Sequence, residues 1–153
     1  MLKIGSKIEN FIIPTDRGHF SLSDYQGRNV VLFFFPRADT SGCTKEAEAF
    51  TSLLAEFDAA NTVVIGISKD TPQKQAKFRE KFNLECILGA DNETDICERF
   101  GVWVEKSMYG KSYMGIERST FLIDPDGRIT KIWRKVKVPG HAEDVLAQVQ
   151  AGG

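Results

Sequence analysis

Cysteine, histidine and long apolar runs are all scarce in this 153-residue chain, and each scarcity removes a class of protein. Three cysteines, at positions 43, 86 and 97, are too few for a disulfide scaffold. They point to a reducing cytoplasm, where a thiol is core filler, metal ligand or reagent. The two histidines, His19 and His141, have no metal spacing to any cysteine. Both read as surface or capping residues, and no metal or other cofactor is expected. The longest apolar run, Val30 to Phe35, falls far short of the ~20 residues that span a bilayer. The opening Met1-Leu2-Lys3-Ile4-Gly5-Ser6 lacks the apolar core of a secretory signal. An excess of one charge is missing as well: 20 basic against 21 acidic side chains leave a net charge of −1. No bulk field draws nucleic acid or an anionic membrane, so neither is an expected partner. Without repeats, low-complexity tracts or linkers, a single domain over residues 1–153 is expected. What is abundant is phenylalanine, at 11 positions, within a 42% hydrophobic chain. That balance fits a globular enzyme or binding module.

Two apolar runs, 29–35 and 62–68, are apolar on both faces and read as fully buried strands. Between them Phe50, Leu53, Leu54 and Phe57 recur at helical spacing, predicting a helix from about 43 to 60. Strand, helix, strand of this length implies a right-handed βαβ unit. Phe11-Ile12-Ile13 and His19-Phe20-Ser21-Leu22 flank turn-forming residues 15–18 and predict an N-terminal hairpin. A helix over about 72–82 starts at Pro72, behind the capping candidates Asp70 and Thr71. A short strand near 86–89 and a helix near 92–100 follow. The runs 119–123 and 128–133, joined by Asp124-Pro125-Asp126-Gly127, read as a hairpin, and 142–149 as a closing amphipathic helix. This order resembles the thioredoxin fold: an α/β architecture with a central mixed sheet flanked by helices and an N-terminal β-hairpin extension.

Cys43 lies where the first buried strand ends and the next helix begins, the place where open α/β sheets put ligands. Unpaired first-turn N–H groups and the helix dipole there favour an anion. One helix terminus supplies about 0.3–1 kcal/mol, up to ~2 when partly buried. A reactive thiolate therefore needs a further donor or cation. Thr40, three residues earlier, offers a hydroxyl within reach of the sulfur or of a bound oxygen. Gly42, Ser41, Thr44 and Lys45 make a polar, exposed setting. Chemistry alone leaves Cys43 open between apolar filler and reagent.

Pro36, Thr40 and Cys43, continued through Gly42-Cys43-Thr44-Lys45-Glu46, resemble the active-site motif of peroxiredoxins, in particular the bacterioferritin-comigratory or Q-type branch. The stretches 21–27, 30–36, 108–111 and 115–124 resemble further parts of that family, so the likeness covers nearly the whole chain. It implies a thiol-dependent peroxidase acting on hydrogen peroxide and organic hydroperoxides. Cys43 corresponds to the peroxidatic cysteine, Thr40 to the hydroxyl on the peroxide, and Pro36 to the ring that walls off the thiol. Arg118 corresponds to the arginine beside the sulfur, and Gly42 and Arg118 join Pro36 and Thr40 as substrate-binding positions. Glu46 matches a family position as a hydrogen-bonding support, with a charge complementing the helix N-terminus as the alternative. Ser41 departs from the family's usual proline and reads as a helix cap in a less rigid loop.

The family's two familiar resolving positions correspond here to Glu48 and, approximately, Arg79. Neither is cysteine. Cys97, between the buried-face residues Ile96 and Phe100, and Cys86, at a strand edge, read as structural. The resemblance therefore implies a one-cysteine cycle. The sulfenic acid is reduced by an external thiol from thioredoxin, glutathione or glutaredoxin, in a monomer or a weak homodimer. Two other readings remain. A thiol–disulfide oxidoreductase needs a second cysteine at position 40 or 46, where Thr40 and Glu46 stand. A non-catalytic thioredoxin-fold adaptor or holdase would carry the motif without turnover. Trp103 and Trp133 read as core or rim aromatics, and the basic run 131–137 as a solvated strand face. Met108, Tyr109, Tyr113 and Met114 read as a polar loop before Arg118, either packed or lining a substrate mouth.

Overall fold

The structure, a computed structural model, describes residues 2–152. Strands β1 (Ile12–Thr15) and β2 (Gly18–Ser21) form the expected N-terminal hairpin. The turn between them is held by the Arg17 N–H donating to the Thr15 hydroxyl at 3.1 Å. A short 3-10 turn, Leu22–Tyr25, leads to β3 (Asn29–Phe34). Helices α1 (Ser41–Ser52) and α2 (Leu54–Ala59), strand β4 (Thr62–Ser68), helix α3 (Pro72–Phe82) and strand β5 (Ile87–Ala90) follow. After helix α4 (Ile96–Arg99) come strands β6 (Trp103–Met108), β7 (Lys111–Ile116), β8 (Ser119–Ile123) and β9 (Ile129–Trp133), then helix α5 (His141–Gln150). The main sheet runs β2-β1-β5-β4-β3-β8-β9. Its centre, β3-β4-β5, is parallel, and the flanking pairs are antiparallel. This is the thioredoxin-like mixed sheet expected, with the hairpin joined through Thr15 opposite Gly89.

Because successive strand residues face opposite ways, β3 feeds two cores at once. Val30, Leu32 and Phe34 belong to one buried cluster with Ile65, Ile67 and Phe121. Val31, Phe33 and Phe35 belong to the other, with Cys43, Phe50 and Phe78. That double burial is why the sequence shows an unbroken apolar run there. Phe33 stacks on Phe50 with ring centroids 4.5 Å apart, and its ring covers Gly66 on β4. A Cβ at Gly66 would stand 2.4 Å from the Phe33 ring. Gly66→Ala is therefore expected to cost about 1–3 kcal/mol through overpacking. Denaturant titration should show a lower midpoint with an unchanged slope, and an unshifted midpoint would contradict the close approach.

Three elements differ from expectation. The single helix over 43–60 begins earlier and breaks at Leu53, where the Leu53 N–H bonds Phe50 O at 3.1 Å and the Ser52 hydroxyl donates to Ala49 O at 2.8 Å. Such local bonds tighten and end a helix. The helix near 92–100 shortens to Ile96–Arg99, because the buried Asp91 carboxylate takes the Ile96 and Cys97 N–H groups at 3.0 and 2.8 Å. The stretch read as a polar loop is the β6–β7 ribbon. It turns at Tyr109 and Gly110, with φ of 51° and 77°, the left-handed pair of a tight hairpin turn. Met108, Tyr109, Tyr113 and Met114 stay exposed on it, so they do not form a packed loop. The ribbon escaped notice because neither face is buried enough to imprint alternation, and Tyr-Gly is a weaker turn signal than Asn-Gly.

Candidate active site

At the end of β3, Phe35 still bonds Ile67 O through its N–H at 3.0 Å, and the chain then leaves the sheet at the half-buried Pro36. The turn needs a left-handed residue at Asp39, φ 63°, a conformation aspartate tolerates better than most. Thr40 is extended, at φ −98° and ψ 155°, and is the N-cap of α1. Ser41 is thus the first helical residue rather than the cap it was expected to be. That first position is where proline is most readily accommodated. Cys43 occupies the first turn of α1, where N–H groups have no helical acceptor.

Arg118 reaches this turn through strand register. β8 lies antiparallel to β3 with Ser119 opposite Phe34, so the residue before Ser119 falls beside the loop that leaves β3. Its Nη2 donates to Cys43 Sγ at 3.4 Å, and its Nη1 donates to Glu46 Oε1 at 2.6 Å. Gly42 allows this approach, since a Cβ there would lie 3.3 Å from Nη2. Glu46, one turn beyond Cys43, is 1% exposed and Arg118 is 17% exposed at the side chain. Of the two roles expected for Glu46, the structure gives the hydrogen-bonding one, directed at Arg118. Burial pushes the Glu46 carboxyl up to about 7, with the Arg118 charge and hydrogen bond pulling the other way. Burial works against the Arg118 charge, yet Glu46 and Cys43 more than offset it and hold the guanidinium above its ordinary range. Glu46 Oε2 is buried without a partner.

Three expectations need correction here. Cys43 does not sit in an exposed setting: it is 1% exposed and part of the Phe33, Phe35 and Phe50 cluster. The polar neighbours read from the sequence surround its backbone, while its side chain turns inward. Thr40 does not direct its hydroxyl at the sulfur; the hydroxyl donates to Arg37 O at 2.8 Å, closing the loop on itself. His141 also departs from the surface or capping role. It is 5% exposed, with Nε2 2.8 Å from the Thr120 hydroxyl. Burial, aided by Arg118 and opposed by Asp144, pushes it down to about 4. Its place on the first turn of α5 looked solvated, but that turn packs against Trp133 and Phe50.

The remaining thiols are buried and free. Burial pushes Cys86 up to about 11, against the Thr51 hydroxyl that donates to its sulfur at 3.8 Å. Cys97 is raised still further by burial and by Asp91. Glu48 is exposed on α1. Arg79 is committed elsewhere: its Nε and Nη2 clamp Asp16 at 2.6 and 3.0 Å, and its Nη1 donates to Leu84 O at 2.8 Å. Among the described residues no cluster of three His, Cys, Asp or Glu is placed to hold a metal, and no helix is long and apolar enough to cross a membrane. Asp70 was foreseen only as a capping candidate. Thr71 takes that role, accepting the Lys74 N–H at 3.2 Å, and Asp70 instead bonds the active-site loop. Nothing in local spacing distinguishes the two roles.

Residues 4–132 match the AhpC/TSA family. Peroxiredoxin Bcp of Bacillus subtilis is 46% identical over 146 residues, 95% of this chain and 93% of that protein. A cysteine-to-serine mutant of Xylella fastidiosa PrxQ superposes with a TM-score of 0.95 at 38% identity, covering 99% of this chain and 98% of that one. The bacterioferritin comigratory protein of Xanthomonas campestris superposes with a TM-score of 0.88 at 39% identity over 93% of this chain and 91% of that one. It was solved as trapped intermediate and ligand complexes that bear on its alkyl peroxide reduction.

Proposed function

The chain belongs to the AhpC/TSA family, as a thiol peroxidase of the Bcp or Q-type peroxiredoxins, and from that premise we propose that Cys43 is its peroxidatic residue and that the cycle uses no second cysteine. Peroxiredoxins consume a hydroperoxide and a thiol reductant; the substrate range proposed here takes in alkyl hydroperoxides as well as hydrogen peroxide. The Cys43 thiolate attacks the terminal oxygen of R–O–OH. An S–O bond forms as the O–O bond breaks, and the departing alkoxide takes up the proton released earlier by the thiol. Arg118 and the first-turn N–H groups of α1 hold the attacking sulfur and meet the charge growing on the leaving oxygen. Pro36, Gly42 and Thr40 border the substrate, with Thr40 turning its hydroxyl from Arg37 O to the peroxide on binding. An external thiol then attacks the sulfenic sulfur and water leaves. A second thiol reduces the mixed disulfide and restores Cys43.

The observation that carries this reading is the 3.4 Å contact from Arg118 to Cys43 Sγ across 75 positions of sequence. Support for the one-cysteine cycle comes from Cys86 and Cys97, both buried and both pushed toward the unreactive thiol form. Thioredoxin, glutathione or glutaredoxin would supply the reductant. A single domain spanning 1–153, monomeric or weakly dimeric, in a reducing cytoplasm completes the proposal.

Intact-mass analysis after one equivalent of hydrogen peroxide is the test. The wild type should gain one oxygen, and Cys43→Ser should gain none. Prompt loss of two hydrogens by monomeric protein, with no oxygen retained, would overturn the one-cysteine cycle. Equal peroxide consumption by wild type and Cys43→Ser would overturn the assignment of Cys43.

A further inference from the structure

The loop from Pro36 to Thr40 is fastened by two ties, one to α3 and one to the turn between β4 and α3. Outside, Lys81 Nζ meets the Asp39 carboxylate at 3.0 and 3.2 Å, but both side chains are exposed and such a pair contributes little. Inside, Asp70 Oδ2 accepts the Ala38 N–H at 2.8 Å and the Ser68 hydroxyl at 2.6 Å. Asp70 is itself held from behind. Gln75 Nε2 donates to the Ser68 hydroxyl at 2.9 Å and to Gly89 O at 2.8 Å. Ser68 and Gln75 are fully buried, and Asp70 is buried too. A polar chain thus runs from β5 through the end of β4 to the backbone of the active-site loop. Charge-assisted bonds in a buried chain are the strong kind.

The two halves of the proposed cycle ask opposite things of this loop. Attack on a peroxide needs Cys43 held under Arg118 at the tip of α1, the closed arrangement seen here. Attack by an external thiol needs a second sulfur to come within bonding distance of Cys43 Sγ. At 1% exposure that sulfur is shielded, so the loop and the first turn of α1 must swing away.

We propose that Asp70 is a positioning residue that clamps the Ala38 N–H, holding the Pro36–Thr40 loop closed for peroxide attack, and that release of this clamp opens oxidised Cys43 to the reducing thiol. The inference rests on Cys43 being the peroxidatic residue. Asp70 touches neither substrate nor sulfur in this role; it acts through the backbone of the loop. It therefore sets how the enzyme divides its time between oxidation and recycling.

The experiment measures both half-reactions on the full chain: oxidation of the Cys43 thiol by hydrogen peroxide in a single turnover, and reaction of the preformed sulfenic acid with glutathione. In Asp70→Ala the first rate constant should fall about tenfold, about 1.4 kcal/mol, while the second rises several-fold. Asp70→Asn keeps an oxygen for the Ala38 N–H and should bring both rates back to within about threefold of wild type. Ser68→Ala, a smaller lesion that removes the other donor to Asp70, should shift both rates in the directions seen for Asp70→Ala, by less. Its result decides the matter should Asp70→Ala fail to fold. Opposite shifts in the two half-reactions support the clamp, since general damage lowers both. Unchanged rates, or a parallel fall in both, overturn it. Peroxide consumption that survives in Cys43→Ser overturns instead the reading on which the clamp rests, so the two failures are distinct.

Discussion

Arg118→Ala should slow oxidation of Cys43 by hydrogen peroxide by about 10²–10³-fold. Removing one donor aimed at developing negative charge costs about 2.7–4 kcal/mol in comparable acyl-transfer sites. Here a single guanidinium serves both the sulfur, at 3.4 Å, and Glu46, at 2.6 Å. Arg118→Lys should not rescue the rate, because one ammonium lacks the planar fork that spans two partners held by different turns of α1. The substitution also has a stability cost that must be separated from the chemical one. Without Arg118, both Glu46 carboxyl oxygens are buried without a partner. The charge that held this carboxyl down is gone, so burial keeps it neutral, and leaving such a polar group unsatisfied costs about 1–3 kcal/mol. The double variant Arg118→Ala/Glu46→Met removes the unpaired carboxyl and should recover most of the lost stability while leaving oxidation slow. Stopped-flow oxidation and denaturant midpoints on the same samples distinguish the two effects. A double variant that oxidises at the wild-type rate would show that Arg118 serves only the fold.

The second large effect is a pH dependence concealed in the wild type. His141 titrates at about 4 in the fold against 6.5 when unfolded, so its contribution is complete above pH 6.5 and is lost as pH falls toward 4. Glu46 has the opposite sign. Its carboxyl titrates at about 7 in the fold against 4.5 unfolded, so its contribution is complete below pH 4.5 and is lost as pH rises through 7. Each shift corresponds to about 3 kcal/mol, at about 1.4 per unit. Between pH 4.5 and 6.5 the two slopes oppose one another, and these two groups together should leave stability nearly flat. His141→Gln keeps a nitrogen for the Thr120 hydroxyl and removes one slope; its stability relative to wild type should decline as pH rises from 4.5 to 6.5. Glu46→Gln should show the reverse trend over the same window, offset by a constant for the altered Arg118 bond. Urea titrations at intervals across that window read both. Parallel profiles for wild type and both variants would contradict the burial assigned to these groups.

Much of the fold was legible because its elements carry local signatures. β3 and β4 were visible as runs apolar on both faces, and both faces are in fact packed. The start of α3 was visible in Thr71-Pro72, a cap followed by a residue that suits the first helical turn. The β6–β7 ribbon was not, since its side chains lie mostly in solvent and little selects for alternation. Likewise the break at Leu53 depends on hydroxyl bonding within α1, which apolar spacing does not report.

For the site, the sequence alone settled which chemistry was available: a thiol at the tip of a helix, and an arginine at the head of a strand that a family resemblance could pair with it. Those are matters of residue type and of spacing over a few positions, which local pattern captures. Only the tertiary structure decided where the side chains turn. It buried Cys43, sent the Thr40 hydroxyl to Arg37, joined Glu46 to Arg118, drew His141 under Trp133 and bound Asp70 to Ala38. Several of these contacts join residues far apart in the chain, and the register of neighbouring strands and the packing of helices on them determine which distant groups meet.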